Sequence, residues 1–357
     1  MLELAQVFDS FWDEYCQNHA LPEHTLTCIN DLRCCQTSYF GGNLLLCNKC
    51  GHEHFCYHSC KSRFCPKCYK KQQDKWLVER RKELLNCLYF HLVLTVPQEL
   101  HELCKRYPKI VYGILMRESA AAILLLCKDK KYLGANAGIM EVLHTWTRSQ
   151  LLHPHVHCLV PAGGLTENGD WQKSRESFLI PVKALSDIFR AKVRDALKKE
   201  GIFNAVPSRA WKIRWVTYAK PSVQGANKVL EYLARYVFKS SISNSNILNI
   251  NQLTKEVTFR YCDHKKGWQK MTLSAEQFIA RIIQHMLPKG FQKIRYYGFW
   301  NSSKKEKMKK IIYLLGPHPD SSKDEDSDKL NLLCPHCHKG QMLFFKSIIR
   351  ERWRAPP

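Results

Sequence analysis

Two histidines, His155 and His157, lie two positions apart in a short run of strand-forming residues bounded by Pro154 and Pro161. Residues two apart in a β-strand point to the same side, so both imidazoles are expected on one face of a sheet. Two neutral imidazoles supply part of the ligand set that a divalent metal ion needs. The alternative is a pair of hydrogen-bonded core histidines, and the spacing by itself does not separate the two interpretations.

Two tyrosines, Tyr232 and Tyr236, lie four positions apart in a segment predicted to be helical over residues 222–237. Residues four apart share one helical face and lie about one turn from each other. A tyrosine phenolate is a nucleophile that forms covalent intermediates. Taken alone, tyrosines at this spacing are more often a packing stripe, because aromatic side chains are usually buried.

Eight cysteines lie within residues 34–68, and four of them form two Cys-x-x-Cys knuckles. Two knuckles about fifteen residues apart match a four-cysteine zinc site. The predicted ligands of this structural Zn²⁺ are Cys47, Cys50, Cys65 and Cys68. Surplus ligands leave room for a second zinc ion, for which Cys35 and Cys60 are the candidates, and the alternative for them is a buried free thiol.

A third knuckle, formed by Cys334 and Cys337, follows a polar, acidic and proline-bearing segment near the C-terminus. Two cysteines do not complete a tetrahedral site. Three options stay open: a nearby histidine joins them, the remaining ligands come from elsewhere, or the site is degenerate.

The charge balance predicts a polyanionic partner. The 357 residues carry 55 Lys and Arg against 32 Asp and Glu, a net charge of +23, with aromatic residues spread among the basic ones. This composition favours nucleic acid over a membrane or a small-molecule substrate. The longest apolar stretch, residues 120–127, is too short to span a bilayer. With no secretory signal visible, the 17 cysteines are expected in a reducing compartment.

Hydrophobic periodicity predicts a mixture of helices and strands that would position the candidate residues. Residues 88–97 are predicted to form a core strand that ends at a proline, and residues 182–199 an amphipathic helix. Residues 138–146 are predicted to pair with the His155 strand as an antiparallel hairpin. His144 would then lie beside the histidine pair, which makes it the first choice for a third metal ligand. Its rivals are His153 and Gln150.

Taken in order, the knuckles, the histidine strand and the tyrosine pair resemble rolling-circle transposases of the insertion-sequence ninety-one (IS91-like) type. That family belongs to the His-hydrophobe-His (HUH) endonuclease superfamily. The resemblance runs over residues 35–295, and it is the occurrence of its motifs together and in order that is specific. These motifs include Cys47-x-x-Cys50-Gly51-His52, Cys65-Pro66-Lys67-Cys68, His153-Pro154-His155-Val156-His157, Tyr232-Leu233-Ala234-Arg235-Tyr236 and Leu287-Pro288-Lys289-Gly290-Phe291. There are two departures. Phe64 stands where many relatives have a histidine; if that histidine is a zinc ligand there, His58 or Cys56 must substitute for it here. His264 stands in place of a commoner tyrosine.

The resemblance implies an α+β fold with a central antiparallel sheet flanked by helices, preceded by a small zinc-binding domain. It also implies a tyrosine nuclease and transferase acting on single-stranded DNA at transposon ends and target. His155 and His157 would bind a catalytic Mg²⁺ or Mn²⁺, and Tyr232 and Tyr236 would be the nucleophiles. The expected localisation is the bacterial cytoplasm, in association with the nucleoid.

Four domains are predicted: N-terminal helices over residues 1–33, a zinc-binding domain with a linking helix over 34–86, the nuclease domain over 87–300, and a tail over 301–357. The tail comprises a basic helix, an acidic linker and the third knuckle. The basic residues expected to contact DNA are Lys61, Arg63, Lys67 and Arg235. The alternatives are a zinc-dependent DNA-binding regulator, a related replication initiator or relaxase, and a metal-dependent hydrolase that forms no covalent adduct.

Overall fold

The structure is a computed structural model that describes residues 2–221, 230, 231, 234, 237, 241–263, 265–316 and 333–350, without the side chains of residues 69–71. The chain divides into two compact units. The cysteine unit comprises residues 1–74, 238–283 and 323–357, and the histidine unit comprises residues 75–237 and 284–322. These divisions differ from the predicted boundaries after residues 33, 86 and 300, because residues 238–283 and 323–357 join the N-terminal region.

Helices and strands alternate irregularly along the described residues. The helices are α1 (Leu4–Asn18), α2 (Glu23–Arg33), α3 (Tyr69–Arg81), α4 (His101–Arg106), α5 (Pro108–Lys128), α6 (Val182–Lys199), α7 (Arg209–Lys212), α8 (Ala275–Ile283) and α9 (Lys305–Leu315). The strands are β1 (Gly42–Cys47), β2 (Glu53–Tyr57), β3 (Tyr89–Thr95), β4 (Gly138–Trp146), β5 (Leu152–Pro161), β6 (Gly163–Leu165), β7 (Trp171–Lys173), β8 (Thr217–Pro221), β9 (Ile247–Asn251), β10 (Glu256–Asp263), β11 (Gly267–Ser274), β12 (Ile294–Gly298) and β13 (Met342–Ile348).

The histidine unit is built on a sheet whose described strands have the order β12-β4-β5-β3-β8, all antiparallel. Every residue of β4 is buried, and nearly all of β5 is too. Because β5 lies between β4 and β3, the histidine strand is central. The predicted α+β class, with a central antiparallel sheet flanked by helices, is confirmed.

The two faces of this sheet carry different chemistry. On one face, Glu141 of β4 meets Ser119 of α5, whose Oγ donates a hydrogen bond to Oε1 at 2.8 Å. The Cys158 thiol donates to the same oxygen at 3.5 Å. Since side chains alternate along a strand, His155 and His157 point to the opposite face.

Glu141 lies fully inside the protein, and burial raises the pKa of its carboxyl group to about 8. Loss of hydration disfavours the charged form more than the hydroxyl and thiol donors favour it. The folded protein therefore holds a proton at this site that the unfolded chain releases above the ordinary carboxyl pKa of 4.5. Unfolding releases this proton, so the stabilisation of the folded state by the protonated carboxyl group is complete below pH 4.5. It is lost as the pH rises towards about 8.

Glu141→Gln should remove this pH dependence, because the amide is uncharged and close in shape to the protonated acid. The free energy of unfolding of the wild type should fall relative to the variant by about 2–3 kcal/mol between about pH 6 and about pH 9. Urea unfolding at both pH values measures the difference. The exposed Glu176→Gln serves as the control and should follow the wild type. Parallel pH profiles for the wild type and Glu141→Gln would mean that Glu141 is ionised in the folded state.

In the cysteine unit, residues 238–283 pack with the N-terminal helices. Helix α1 buries an apolar stripe that includes Phe8 and Trp12, and it contacts both α2 and α8. The Leu4 backbone N–H donates to Oδ1 of Asn244 at 3.0 Å. The predicted segment boundary after residue 33 missed this packing, because periodicity identifies an apolar helix face without identifying what covers it.

The C-terminal strand β13 also belongs to the cysteine unit. It pairs antiparallel with β1, from Gly42 opposite Ile348 to Cys47 opposite Met342. Strand β2 pairs with the other edge of β1. Strand β13 therefore completes the sheet of the cysteine-rich region.

Helix α5 is longer than the apolar stretch noted in the sequence, and by length and composition it could cross a membrane. The helix has 21 residues, and its most apolar 18-residue window has a mean hydropathy of 1.8. However, 61% of that window is buried inside the protein. Its Ser119 contact with Glu141 agrees with the role of a core helix.

Candidate metal centres

Three imidazoles converge on the face of the sheet opposite α5. Nδ1 of His144 lies 3.0 Å from Nε2 of His155, and Nε2 of His155 lies 3.1 Å from Nε2 of His157. Neighbouring ligands around an octahedral cation with bond lengths near 2.0–2.1 Å are separated by about 3 Å. The three nitrogen atoms can therefore share one small divalent cation.

Strand register explains this convergence. His144 lies directly opposite His155, and Val142 lies opposite His157, with an irregularity in β4 between His144 and Trp146. The predicted hairpin thus places His144, the first choice for a third ligand, beside His155 and His157. Of the two rivals, His153 has its imidazole outside the converging group. The amide nitrogen of Gln150 donates to the backbone oxygen of Arg148 at 3.4 Å.

Two outer contacts orient the imidazoles. Nδ1 of His155 donates to the backbone oxygen of His153 at 2.7 Å, which leaves the Nε2 lone pair directed at the centre. Nδ1 of His157 lies 2.9 Å from Nε2 of His91 on β3. Such outer partners fix the tautomer and the orientation of a metal-binding histidine. Sequence reasoning missed His91, because its only signal was its position in a predicted core strand.

All four imidazoles are held in the neutral form. Burial lowers the pKa of His91 and of His155 to about 4, and burial followed by the neighbouring imidazoles lowers the pKa of His144 and His157 well below the usual value. A neutral imidazole offers a lone pair, so near neutral pH no proton competes with a cation for this cluster.

A buried lysine adds positive charge next to the cluster. The ammonium group of Lys293 lies 4.7 Å from the centre of the Trp146 ring and donates to the backbone oxygen of Val237 at 3.4 Å. Its charge contributes to the lowered pKa of both His144 and His157. An ammonium group in this position favours an anion such as a phosphate.

The predicted nucleophiles Tyr232 and Tyr236, together with Arg235, lie outside the described residues. Four neighbours in the same segment, at positions 230, 231, 234 and 237, are helical. Two of these neighbours, Leu230 and Ala234, belong to a hydrophobic cluster with Met140 and Leu159. In the strand register, Met140 shares a face with His144, and Leu159 shares one with His157. The described part of this helix therefore packs on the histidine face of the sheet.

The cysteines group differently from the prediction. The structure does not bring Cys47 and Cys50 together with Cys65 and Cys68; within the described residues each knuckle joins other partners. The first group consists of Cys35, Cys60, Cys65 and Cys68. The second group consists of Cys47, Cys50, Cys334 and Cys337. Both cysteines of each knuckle fall in the same group, but local spacing carries no information on partners distant in the sequence.

The group around Cys65 has the dimensions of a tetrahedral zinc site. Sγ of Cys60 lies 3.7 Å from Sγ of Cys68, and thiolates on one zinc ion with bonds of 2.3 Å are separated by about 3.8 Å. The backbone N–H of Cys60 donates to Sγ of Cys35 at 3.4 Å. Cys35 thus completes a group of four cysteines, which includes neither His58 nor Cys56.

The predicted DNA-binding residues differ in their surroundings. Lys61 and Arg63 are exposed. Lys67 forms an ion pair with Glu3 at 2.6 Å, so its charge is already balanced inside the cysteine unit. His264, the second departure from the family pattern, lies outside the described residues.

Comparison with known proteins gives consistent matches. Residues 138–307 match the family described as "Putative transposase", and residues 7–96 match the "Transposase zinc-binding domain". The chain is 34% identical to "Putative transposase y4qJ" of Sinorhizobium fredii, over 96% of this chain and 94% of the relative. It is 29% identical to "Transposase for insertion sequence element IS801" of Pseudomonas savastanoi pv. phaseolicola, over 81% of this chain and 73% of the relative. No solved structure matches the chain.

Proposed function

Because this chain belongs to the IS91 family of transposases with an N-terminal zinc-binding domain, we propose that it nicks and transfers single-stranded DNA by a rolling-circle mechanism. The intermediate of this mechanism is a 5′-phosphotyrosine. The observation that carries the proposal is the cluster of His144, His155 and His157 on the sheet face against which Leu230 and Ala234 pack.

In this proposal the three imidazoles bind Mg²⁺ or Mn²⁺. The cation, when bound, polarises the scissile phosphate and orients it for in-line attack. His91 and the backbone oxygen of His153 hold the imidazoles of His157 and His155 in the orientation that binding requires. Lys293 supplies a further positive charge for the phosphate oxygens.

Tyr232 or Tyr236 acts as the nucleophile. Its phenolate oxygen attacks phosphorus, the bond to the 3′ oxygen breaks, and that oxygen leaves as a 3′-hydroxyl after taking up a proton. The phosphodiester energy is kept in the tyrosyl ester, so a 3′-hydroxyl from another strand can reverse the step. Two tyrosines permit two adducts, one for each strand end.

An exposed aromatic and basic strip next to the histidines suits a single strand. Tyr218 of β8 is 39% exposed, its ring stands edge-on to His91 with centroids 6.3 Å apart, and the Lys220 ammonium lies 5.3 Å from its centre. Unpaired bases stack on such rings, whereas a duplex keeps its bases inside. This strip favours single-stranded over double-stranded substrate.

The proposal is tested with DNA from the flanks of the gene that encodes the chain. Single-stranded and double-stranded forms of the same sequence are incubated with the protein and Mg²⁺ or Mn²⁺, then resolved on a denaturing gel. We expect a protein–DNA adduct with the single strand and none in the presence of a chelator. A zinc-dependent regulator would bind without forming an adduct, and a hydrolase would cleave without one.

DNA binding should depend on salt, with a slope that identifies the contributing side chains. For single strands the logarithm of the affinity falls by about 0.7 per neutralised phosphate for each unit of log salt. Replacing Lys61 by Gln should reduce the slope by about 0.7 if it neutralises one phosphate. Lys67→Gln is the matched control and should change it little, because Lys67 is paired with Glu3. Fluorescence anisotropy over a salt series measures these slopes, and the reverse ranking would contradict the assignment.

The proposed site of action is the bacterial cytoplasm, at the nucleoid. The net charge of +23 and the transposase family both support a DNA-acting protein there.

A further inference from the structure

We infer that the chain binds a second structural zinc ion through cysteines from both of its ends, and that this zinc fastens the C-terminal knuckle to the end of β1 within the cysteine unit. The ligands are Cys47 and Cys50 at the end of β1, and Cys334 and Cys337 before β13. The latter two lie outside residues 7–96, the part that matches the zinc-binding family. The site is independent of the proposed nuclease chemistry.

The distances between the thiols fit one tetrahedral ion. Sγ of Cys47 lies 3.7 Å from Sγ of Cys337, and Sγ of Cys50 lies 3.6 Å from Sγ of Cys334. Four sulfur atoms at the corners of a tetrahedron with zinc–sulfur bonds of 2.3 Å stand about 3.8 Å apart. All four thiols lie within 4.8 Å of one another.

Backbone N–H groups point at the sulfur atoms in both knuckles. The N–H groups of Lys49 and Cys50 donate to Sγ of Cys47 at 3.4 and 3.5 Å. In the C-terminal knuckle, the N–H of Gly340 donates to Sγ of Cys337 at 3.3 Å. Donors arranged in this way stabilise thiolates, which are the form that binds zinc.

The two knuckles also interlock through the backbone. The Asn48 N–H donates to the Gln341 oxygen at 3.0 Å, and the Gln341 N–H donates to Oδ1 of Asn48 at 2.9 Å. A Cβ atom at Gly340 would collide with Sγ of Cys47, so glycine permits the close approach of the two loops. These contacts bring the thiols together although Cys50 and Cys334 are 284 positions apart.

The competing assignment completes the site with ligands close to the first knuckle, namely His52 and Cys56. The imidazole of His52 instead stacks on that of His336, with ring centroids 5.1 Å apart. Cys56 packs against the hydrophobic cluster that contains Cys47 and Met342. Neither belongs to the group of converging ligand atoms, whereas both C-terminal cysteines do.

The first test counts zinc in the full-length protein purified without added metal. We expect two zinc ions per chain in the wild type and one in Cys334→Ser/Cys337→Ser. The control is Cys16→Ser/Cys28→Ser, which removes two cysteines of the same unit that belong to neither group and should keep both ions. Two ions in the C-terminal variant would overturn the inference.

Thiol alkylation followed by peptide mapping shows which site is lost. In the C-terminal double variant, Cys47 and the exposed Cys50 should become reactive, while Cys35, Cys60, Cys65 and Cys68 stay protected by the other ion. Protection of Cys47 and Cys50 in this variant would favour His52 and Cys56 as ligands and would overturn the assignment.

A variant that keeps four ligands shows whether the loss of zinc in the double variant results from the missing ligands or from unfolding. Cys337→His replaces one thiolate by an imidazole, and zinc accepts either ligand. With Co²⁺ in place of zinc, we expect the visible spectrum of the variant to move towards three thiolates and one imidazole. A spectrum identical to that of the wild type would mean that Cys337 is not a ligand.

Discussion

His157→Ala should abolish cleavage of single-stranded DNA in Mg²⁺ or Mn²⁺. His157 is one of the three converging imidazoles: its Nε2 lies 3.1 Å from Nε2 of His155, and its Nδ1 lies 2.9 Å from Nε2 of His91. Loss of an outer partner already costs about 10–100-fold in many metal sites, so loss of the ligand itself should cost at least about 10³-fold. Single-turnover cleavage measured over a range of metal concentrations gives the effect.

His91→Gln provides the graded comparison for this prediction. It removes an orienting partner and keeps all three candidate ligands, so the loss should be about 10–100-fold. The zinc content should be unchanged in both variants, because the cysteine groups involve neither residue. The affinity for single-stranded DNA should also be unchanged. Normal cleavage by His157→Ala would mean that the histidines are a structural hydrogen-bonded cluster.

Tyr232→Phe/Tyr236→Phe should eliminate the covalent protein–DNA adduct. The substitution removes two phenolic oxygens and keeps both rings, so packing is preserved while the proposed nucleophiles are lost. Adduct formation should fall to background, whereas thermal unfolding and DNA affinity should stay close to those of the wild type. A denaturing gel with end-labelled DNA measures the adduct.

The single variants and one matched control sharpen this prediction. Each single Tyr→Phe variant should retain one route to an adduct. Tyr218→Phe removes the hydroxyl of an exposed tyrosine next to His91 and should leave adduct formation intact. An adduct with the double variant would assign the nucleophile to another residue.

The arrangement of His144, His155 and His157 could be predicted from the sequence, because it depends on the local geometry of neighbouring strands. Side chains two residues apart in a strand lie on the same face, which places His155 and His157 together. A short antiparallel hairpin then brings His144 opposite His155. The contact of His91 with His157 could not be predicted in the same way. It reaches His157 through the pairing of β3 with β5, where the partners are 66 positions apart, and no local pattern specifies that register.

The grouping of the cysteines was not accessible from spacing. Cys-x-x-Cys fixes the geometry of one knuckle and leaves its partner knuckle open. The nearest knuckle in sequence was the natural choice, yet pairing of β1 with β13 brings Cys334 and Cys337 to Cys47 and Cys50. The first group then takes Cys35 and Cys60, which the sequence had assigned to an additional ion.

The apolar face of α1 shows a similar limit. Its periodicity predicted an amphipathic helix, and the structure contains one over Leu4–Asn18. Its partner α8 comes from residues more than two hundred positions away, within a segment that the sequence analysis assigned to the nuclease domain. Hydrophobic periodicity reports that a face is buried and is silent on the element that buries it.

The central claim is tested most directly by mass spectrometry of the protein after reaction with single-stranded DNA from the flanks of its own gene. After nuclease and protease digestion, we predict a nucleotide attached through its 5′ phosphate to the peptide that contains Tyr232 and Tyr236. The modification should require Mg²⁺ or Mn²⁺ and should be absent from His157→Ala. A nucleotide attached to a different residue, or cleavage of the strand with no modified peptide, would contradict the account.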